Sequence, residues 1–393
     1  MIAKAITDQL EQGSWIRRMF EEGNRLRAIH GADHVYDFSL GNPDLEPPEA
    51  VRQAIISEAG RQQAGSHGYM SNVGYAGVRE AISRQISQTS GRAVEADAVC
   101  MTVGAAGALN VTLKALLDPD DEVIVIAPYF VDYLSYIRNH GGRPVVVEVS
   151  RATLVPDLDA VERAITPKTK AIIINTPNNP TGMVYSEGDL RALNQVIDAQ
   201  DHPIYIISDE PYRELVFTQR PAPSTMACLN QVIVCYSWSK SFSLPGERIG
   251  YVAASPGCHD YDQLKKALGF CNRVLGYVNA PALFQRVIEQ SLNAPVDVSR
   301  YRKRRDLLAG ILRRAGFSLR MPEGGFYLFP RSPREDDVAF AEVCAAEHVL
   351  VVPGTGFGFS GYFRLCFAVP DAVIEASEPA FRRIAENEGL QPG

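Results

Sequence analysis

The chain has 393 residues, of which 46% are hydrophobic and 22% charged, and its formal net charge is −7 at pH 7. At roughly 100–200 residues per domain this length predicts two domains, and the apolar fraction excludes an intrinsically disordered chain. The mildly acidic charge balance gives no indication of a nucleic-acid-binding or anionic-membrane-binding surface.

The first residues of the chain and its cysteines indicate the cellular compartment. No apolar run reaches the roughly 18 residues of a membrane-spanning helix, and the opening MIAKAITDQLEQGSWIRRMFEEG lacks the apolar core of a signal peptide. The seven cysteines are odd in number, irregularly spaced and include no CxxC pair. This pattern is typical of reduced, buried thiols and argues against zinc or a disulfide framework. We therefore expect a cytoplasmic protein without a metal site.

Seven short apolar runs follow one another between about residues 98 and 254. Several are continuous Val/Ile stretches rather than alternating ones, which is typical of strands covered on both faces. The intervening segments, such as EGDLRALNQVID, have helical periodicity and fit crossover connections. The pattern predicts a mostly parallel sheet flanked by helices. The runs are AVCMTV, EVIVIA, PVVVEV, KAIIIN, IYIIS, QVIVCYS and IGYVAA.

The two ends of the chain follow a different pattern. A charged helix, IRRMFEEGNRLRAI, precedes the turn-rich GNPDLEPPEA, and a basic helix, SRYRKRRDLLAGILRRAG, precedes short strands and another helix. The basic run ends beside Asp306, and we interpret it as a solvated helix face rather than a nucleic-acid patch. We predict a large domain at 46–285, and a smaller α+β domain formed by an N-terminal arm, 1–45, together with 286–393.

Two turn motifs follow predicted strands. TVGAAGAL, at 102–109, places small residues where a strand meets a helix. Such residues let a helix N-terminus approach a phosphate, although they are often only close packing. INTPNNPTG, at 174–182, could direct an Asn amide into a crevice, although alone it is equally an ordinary Asn-Pro-Gly turn. Neither motif decides the function by itself.

Two further motifs carry charge. Asp209, in SDEPY, ends an apolar strand, where a buried carboxylate needs a cationic partner or a ring N–H, unless it is a helix N-cap. Lys240, in SWSKSFSLPGERIGY, follows another apolar strand among small hydroxyl residues. Arg248 returns eight residues later across a Pro-Gly turn. A lysine at a strand end is commonly only solvated, so this motif by itself is weak evidence for a function.

Three of these motifs, in their order and spacing, resemble those of the fold-type-I, class I/II aminotransferases that use pyridoxal 5′-phosphate, a group that includes aspartate aminotransferase. The motifs are NNPTG, DEPY and SxSKxxxxPGxRxG. The resemblance runs from SLGNPD at 39–44 to YFRLCFA at 362–368. It implies an α/β fold, with a large domain built on a mostly parallel seven-stranded sheet sandwiched by helices and a smaller α+β domain. It also implies a homodimer with shared active sites.

The resemblance assigns catalytic roles residue by residue. Lys240 corresponds to the lysine that forms the Schiff base with the cofactor and shuttles the proton, and Asp209 to the carboxylate that pairs with the pyridinium nitrogen. Tyr212 and Asn179 correspond to partners of the cofactor's phenolic oxygen. Arg364 corresponds to the arginine that holds the substrate α-carboxylate, because a planar guanidinium can form two parallel hydrogen bonds to it. Asn179 also borders the substrate.

The remaining correspondences concern the cofactor ring, its phosphate and the substrate backbone. Phe130, in APYF, corresponds to the aromatic that stacks on the pyridine ring, and Gly41 to a backbone contact with the substrate carboxylate. Tyr69 corresponds to a tyrosine that reaches the neighbouring subunit's phosphate. The positions that correspond to phosphate contacts within the subunit are Gly104, Ala105, Ala106, Ser237, Ser239 and Arg248.

These correspondences predict a ping-pong transaminase acting on an amino acid and a 2-oxo acid. Another reaction of the same cofactor (a β- or γ-replacement, a lyase or an oxidase) uses the same lysine and aspartate and is the first alternative. A non-catalytic regulator with an aminotransferase-like domain is the second, although only about 40 residues precede the glycine turn and no helix-turn-helix pattern occurs there.

The substrate side chain is the least determined feature. We expect glutamate and 2-oxoglutarate in one half-reaction, and a second donor among aspartate, alanine and aromatic amino acids. Arg273 lies close to the stretch where dicarboxylate-specific relatives place an arginine, although it is equally a surface or interface charge. Tyr75 and Trp15 could instead line a pocket for aromatic or aliphatic side chains.

Overall fold

The computed structural model describes residues 2–4, 6–7 and 15–393. The predicted N-terminal arm lies partly outside these residues, as does much of the opening stretch that lacks a signal-peptide core. In chain order, the elements up to the fourth strand are α1 (Trp15–His30), β1 (Tyr36–Asp37), α2 (Glu49–Ala59), α3 (Ala76–Ser90), β2 (Val99–Thr102), α4 (Gly104–Leu116), β3 (Glu122–Ala127), α5 (Tyr133–Asn139) and β4 (Arg143–Glu148).

The middle of the chain alternates helices and strands before it passes into a helical stretch. Its elements are α6 (Leu158–Ala164), β5 (Thr169–Asn175), α7 (Glu187–Asp198), β6 (Tyr205–Asp209), α8 (Thr225–Cys228), β7 (Val232–Ser237), β8 (Gly250–Ala254), α9 (Tyr261–Val274) and α10 (Ala282–Ser291). The C-terminal elements are α11 (Ser299–Arg314), β9 (Tyr327–Leu328), α12 (Asp337–Ala346), β10 (Val349–Leu350), β11 (Val352–Pro353), β12 (Phe363–Cys366), α13 (Asp371–Ala376) and α14 (Glu378–Asn387).

A seven-stranded sheet with the order β2-β8-β7-β6-β5-β3-β4 forms the centre of the molecule. Only β8 is antiparallel to its neighbours, and the other ladders are parallel. All seven apolar runs of the sequence form its strands, so the predicted mostly parallel sheet is confirmed. The register pairs Asn175 with Asp209 and Asp209 with Cys235. The polar residues that end β5 and β6 therefore meet at the carboxyl edge of the sheet, where open α/β sheets bind their ligands.

Burial explains why the central strands are continuous apolar runs. In β5, Ile172 and Ile174 join one apolar cluster while Ala171 and Ile173 join another, because alternate side chains point to opposite faces. The edge strand β4 differs, since Val146 is 46% exposed there. β4 is an edge strand, and it is less buried than the central strands.

A second apolar cluster joins the two ends of the chain. β11, β12 and β9 form an antiparallel sheet, and β1 pairs in parallel with β10. Phe38, before residue 45, packs in the same cluster as Phe340 and Phe363 near the C-terminus. Tyr212 and Leu215, from the predicted large domain, join this cluster as well. The predicted domain boundaries stay predictions.

The predicted basic helix is α11, and one of its charged residues departs from expectation. Arg304 is only 2% exposed, so the interpretation of the run as a solvated face is wrong at this position. Its guanidinium is compensated by the carboxylates of Asp44 and Asp371, each at 2.7 Å. Among the described residues, no helix is long and apolar enough to cross a membrane.

Candidate active site

A cavity of about 310 Å³ lies at the carboxyl edge of the sheet. Elements that are distant in sequence meet there because the carboxyl ends of β5, β6 and β7 are adjacent in the sheet. Gly104 and Tyr69 are the two predicted site residues that do not line the cavity. Those that line it are Gly41, Ala105, Ala106, Phe130, Asn179, Asp209, Tyr212, Ser237, Ser239, Lys240, Arg248 and Arg364.

The first turn of α4 and the side chain of Arg248 lie together at one end of this site. Gly104 has a φ of +78°, and a Cβ there would come within 2.7 Å of the Arg248 guanidinium, so both backbone and space require glycine. Arg248 donates to the carbonyl oxygens of Val103 at 3.2 Å and Pro245 at 3.0 Å. A helix N-terminus with free N–H groups beside a guanidinium is suited to a phosphate.

Asp209 ends β6 and is 5% exposed. Its Oδ2 accepts a hydrogen bond from the Tyr133 hydroxyl at 2.5 Å, and its buried Oδ1 has no partner in the described chain. Burial raises the pKa of Asp209 to about 7, the Tyr133 hydrogen bond lowers it and the charge of Glu210 raises it. A buried carboxylate oxygen without a partner is costly, so this oxygen is suited to a ligand N–H.

Lys240 follows β7, and its Nζ donates to the carbonyl oxygen of Gly41 at 2.7 Å. Burial lowers the pKa of the amine to about 8; the nearby Cys366 thiol opposes this shift, and the positive charges of Arg364 and Arg248 add to it. A lysine with this pKa is partly neutral near physiological pH and can act as a nucleophile or base.

Arg364 lies on β12 and is 1% exposed. Its Nη1 donates to Asn179 Oδ1 at 3.1 Å and its Nη2 to the Ser39 carbonyl oxygen at 2.6 Å, while its buried Nε has no partner among the described residues. The rings of Tyr327 and Phe357 lie within 5 Å of the guanidinium carbon. No carboxylate of the described chain forms an ion pair with Arg364, so this buried cation is suited to an anionic ligand.

The aromatic wall of the cavity combines predicted and unpredicted residues. The Tyr212 hydroxyl lies 3.1 Å from that of Tyr327, and both side chains are buried. Gly41 lies against the same hydroxyl, because a Cβ there would be 2.0 Å from the Tyr327 oxygen. Phe130 lies edge-on to Tyr133, with ring centroids 5.6 Å apart.

Sequence reasoning missed three polar residues of the site, Tyr133, Asn175 and Tyr327. Asn175 accepts from the backbone N–H of Asn179 at 2.7 Å and donates to the carbonyl oxygen of Asp209 at 2.8 Å. Its position at the end of an apolar strand was a usable signal. Tyr133 and Tyr327 carried none, because their contacts depend on the strand order and on the position of the second cluster.

Other predicted residues lie away from the cavity. Tyr69 is 94% exposed, and Arg273 is also exposed, with its guanidinium carbon 5.5 Å from the centre of the Phe270 ring. Trp15 packs against Gly356, and the Tyr75 hydroxyl accepts a hydrogen bond from Arg286 at 3.2 Å. Within a single chain, none of these side chains lines the cavity.

The family model for aminotransferase class I and II matches residues 33–377. The chain belongs to this family. A probable aspartate/prephenate aminotransferase of Thermus aquaticus is 36% identical over 358 residues, which cover 88% of this chain and 90% of the relative. An aspartate aminotransferase of Thermotoga maritima is 33% identical over 364 residues, covering 91% and 92%.

Solved structures agree with the family assignment. An aminotransferase from Eubacterium rectale is 39% identical and superposes with a TM-score of 0.94, covering 98% of this chain and 99% of its own. The aspartate aminotransferase of Thermus thermophilus with maleate is 30% identical, with a TM-score of 0.87 and coverage of 98% and 100%. The predicted fold type I and the predicted aminotransferase activity are thereby confirmed.

This aminotransferase uses pyridoxal 5′-phosphate and moves an amino group between an amino acid and a 2-oxo acid by the ping-pong scheme general to its family. The residues present fit that cofactor on two independent observations. The buried Oδ1 of Asp209 lacks a partner, as a site for a ring N–H requires. The first turn of α4 beside Arg248 supplies backbone N–H groups and a cation for a phosphate.

Proposed function

We propose that the 310 Å³ cavity is the active site of this aminotransferase, with Lys240, Asp209 and Arg364 as its central residues. The observation that carries the proposal is the convergence of three groups in one cavity. These are an amine with a pKa lowered to about 8, a carboxylate oxygen without a partner and a guanidinium without a counter-ion, the last two as judged from the residues that the structure describes. Each is costly to bury alone, and together they match a cofactor and an α-carboxylate.

The chain would hold the cofactor at three places. The phosphate would be bound by the side chain of Arg248, by the backbone at Gly104, Ala105 and Ala106, and by the hydroxyls of Ser237 and Ser239. Asp209 Oδ1 accepts the ring N–H, while Tyr212 and Asn179 bind the phenolic oxygen and Phe130 packs on the ring. When bound, pyridoxal 5′-phosphate supplies the electron sink for amino transfer.

Lys240 is the residue that attaches the cofactor and then acts as the base. Its lowered pKa keeps a neutral fraction near pH 7–8, so the amine can accept the proton of the substrate α-carbon and return it. The hydrogen bond from Nζ to the Gly41 carbonyl oxygen holds the amine at the cavity wall before the cofactor binds.

Arg364 binds the α-carboxylate of either substrate. Ser39 and Asn179 each occupy one terminal nitrogen of the guanidinium, which leaves the partnerless Nε available to a carboxylate oxygen. The guanidinium is held between aromatic rings and buried, so the charge-assisted bond forms where water competes little.

We also propose that glutamate and 2-oxoglutarate serve one half-reaction, with aspartate, alanine or an aromatic amino acid as the second donor. The names of the relatives, aspartate and aspartate/prephenate aminotransferases, support an acidic substrate. The cations that line the cavity of the described chain are Lys240, Arg248 and Arg364. A distal carboxylate would need a further cation, and Arg273 of a second copy is the candidate.

The active unit we propose is a homodimer. Tyr69, Phe270 and Val274 are exposed by 94%, 56% and 48%, and their segments are joined by the hydrogen bond from Asn72 to the Val278 carbonyl oxygen. Phe270 and Val274 lie one helical turn apart on α9, and an exposed apolar pair of this kind favours an interaction surface. A second copy on it would bring Tyr69 to the neighbouring phosphate site.

A cytoplasmic location is the compartment we propose. All seven cysteines are free and buried, as is typical of proteins from reducing compartments.

The function is tested with the purified protein loaded with pyridoxal 5′-phosphate. We expect an L-amino acid donor alone to change the cofactor absorbance in stoichiometric amount, and 2-oxoglutarate to reverse the change. A donor screen then ranks glutamate, aspartate, alanine and phenylalanine. A protein that releases ammonia or eliminates a substituent without this reversible change is a lyase or replacement enzyme, and the transaminase assignment fails.

A further inference from the structure

Residues 39–44, which we call the strap, lie across the candidate active site. The Ser39 carbonyl oxygen accepts from Nη2 of Arg364 at 2.6 Å, and the Gly41 carbonyl oxygen accepts from Nζ of Lys240 at 2.7 Å. The strap therefore holds both cations by backbone atoms, and any displacement of the strap moves the groups that orient them.

The strap has few restraints of its own. In the described chain, residues 40–47 form no backbone–backbone hydrogen bond. Pro43 is buried and Leu45 packs against the second apolar cluster, but such contacts do not fix a direction.

Phe38, directly before the strap, forms two backbone hydrogen bonds, to Leu350 at 3.0 Å and to Cys366 at 2.8 Å, so the fold fixes the Ser39 end. The position of Gly41, beyond this end, depends on the side chains that tie the strap.

One tie lies at each end of the strap. Before it, Asp37 Oδ1 accepts from the backbone N–H of Ser39 at 3.0 Å and from its hydroxyl at 2.6 Å, and Oδ2 accepts from Arg27 at 2.5 Å. At its end, Asp44 Oδ1 accepts from Nη1 of Arg304 at 2.7 Å.

The second tie has the more buried cation, since the Arg27 side chain of the first is 32% exposed. The Arg304 side chain is 3% exposed, and its Nε donates to Asp371 Oδ1 at 2.7 Å, so the two carboxylates occupy different nitrogens of one guanidinium. Asp371 also pairs with Lys303, at 2.8 Å. The buried guanidinium, carried by α11, thus pairs with α13 through one nitrogen and with the strap through another.

We propose that Arg304 and Asp44 are positioning residues for α-carboxylate binding. By fixing the strap beyond Ser39, they set the backbone at Gly41, which lines the cavity together with Arg364. This inference rests on the proposed function, in which Arg364 binds the substrate α-carboxylate. Loss of the tie weakens substrate binding more than it slows the chemical step, since the strap lines the cavity with Arg364, whereas its hydrogen bond to Lys240 holds the amine only before the cofactor binds.

The test compares Asp44→Asn with Asp371→Asn. Each variant removes one carboxylate from Arg304, but only the first releases the strap. With L-glutamate in the half-reaction, we expect Asp44→Asn to raise the substrate dissociation constant by about 10-fold, as for loss of a charge-assisted contact, with the limiting rate changed less than about 3-fold. Asp371→Asn should leave both constants within about 2-fold. The cofactor dissociation constant of the apoprotein should stay unchanged in both variants.

Limited proteolysis of the cofactor-free chain provides the readout that does not depend on turnover. Thermolysin cuts before large apolar residues, such as Leu40 and Leu45 in and beside the strap. Cleavage there should accelerate in Asp44→Asn and not in Asp371→Asn. Equal cleavage in the two variants, or equal losses in substrate binding, would overturn the proposal. If the wild-type protein gives no half-reaction with L-glutamate, that substrate assignment fails by itself, whereas the proteolysis comparison still accepts or rejects the strap.

Discussion

The hydroxyl of Tyr133 donates to Oδ2 of Asp209 at 2.5 Å, and both side chains are buried beneath the cavity. This hydrogen bond stabilises the carboxylate and lowers the pKa of Asp209, which burial raises to about 7. Tyr133 therefore sets how much of Asp209 is ionised near neutral pH, although it does not line the cavity itself.

We predict that Tyr133→Phe raises the pKa of Asp209 in the cofactor-free chain above about 7 and slows cofactor capture at pH 7 by about 10-fold, in line with the loss of a hydrogen bond to a charged group. The capture rate should recover towards pH 9, because the carboxylate ionises again as the pH passes the raised pKa. Tyr136→Phe is the matched control, since its hydroxyl donates to Asp132 on the same helix. A pH profile of Tyr133→Phe that matches the wild type would contradict the role of Tyr133.

Lys240→Ala is expected to abolish transamination while the fold is retained, because the proposed function makes this amine the attachment point and the base. The variant should lack the absorbance of the lysine-bound cofactor but keep the wild-type circular dichroism. Lys168→Ala, on an exposed position before β5, is the control and should keep normal turnover. Normal turnover in the Lys240 variant would remove it from the mechanism.

The pKa of Lys240 predicts how the cofactor-free protein captures pyridoxal 5′-phosphate. Only the neutral amine reacts, so the capture rate should rise with pH and level off above about 8 rather than near the ordinary lysine value. Ionisation of Asp209 near pH 7 should add a lower step. Stopped-flow mixing measures both, and Asp209→Asn should keep only the upper step. A single rise centred near 10 would mean that Lys240 is not desolvated.

Gly41→Ala is expected to lower kcat/KM by at least about 10-fold, because its Cβ would lie 2.0 Å from the Tyr327 hydroxyl oxygen and one of the two must move. Tyr327→Phe removes that oxygen. The double variant should therefore be more active than Gly41→Ala alone, which is a non-additive effect between contacting residues. Strictly additive losses would show that the clash is not the cause.

Hybrid dimers test the shared site. Neither Lys240→Ala nor Tyr69→Ala homodimers should have full activity. If Tyr69 serves the neighbouring site, a hybrid dimer has one site with both changes and one intact site. Random reassociation of equal amounts should then restore about one quarter of wild-type activity. If Tyr69 served its own chain, mixing would restore nothing.

The sequence predicted the sheet better than the surroundings of the site. Central strands such as β5 are buried on both faces, so composition alone identifies them. Lys240 and Asp209 stand at strand ends and were found with their motifs. Tyr133 lies 76 residues from Asp209, and Arg304 lies 260 residues from Asp44, so the separation hid both contacts. The contacts of Tyr133 with Asp209 and of Arg304 with Asp44 form only because folding brings distant segments together.

The guanidinium of Arg364 is enclosed without a carboxylate partner from the described chain, and this has a consequence for the stability of the fold. An acid that neutralises this charge binds the folded chain and not the unfolded one. It therefore adds RT ln(1 + [L]/Kd) to the free energy of unfolding, about 2.7 kcal/mol at a concentration of 100 Kd. The melting temperature of the protein thus ranks carboxylic acids by affinity, including acids that are never turned over.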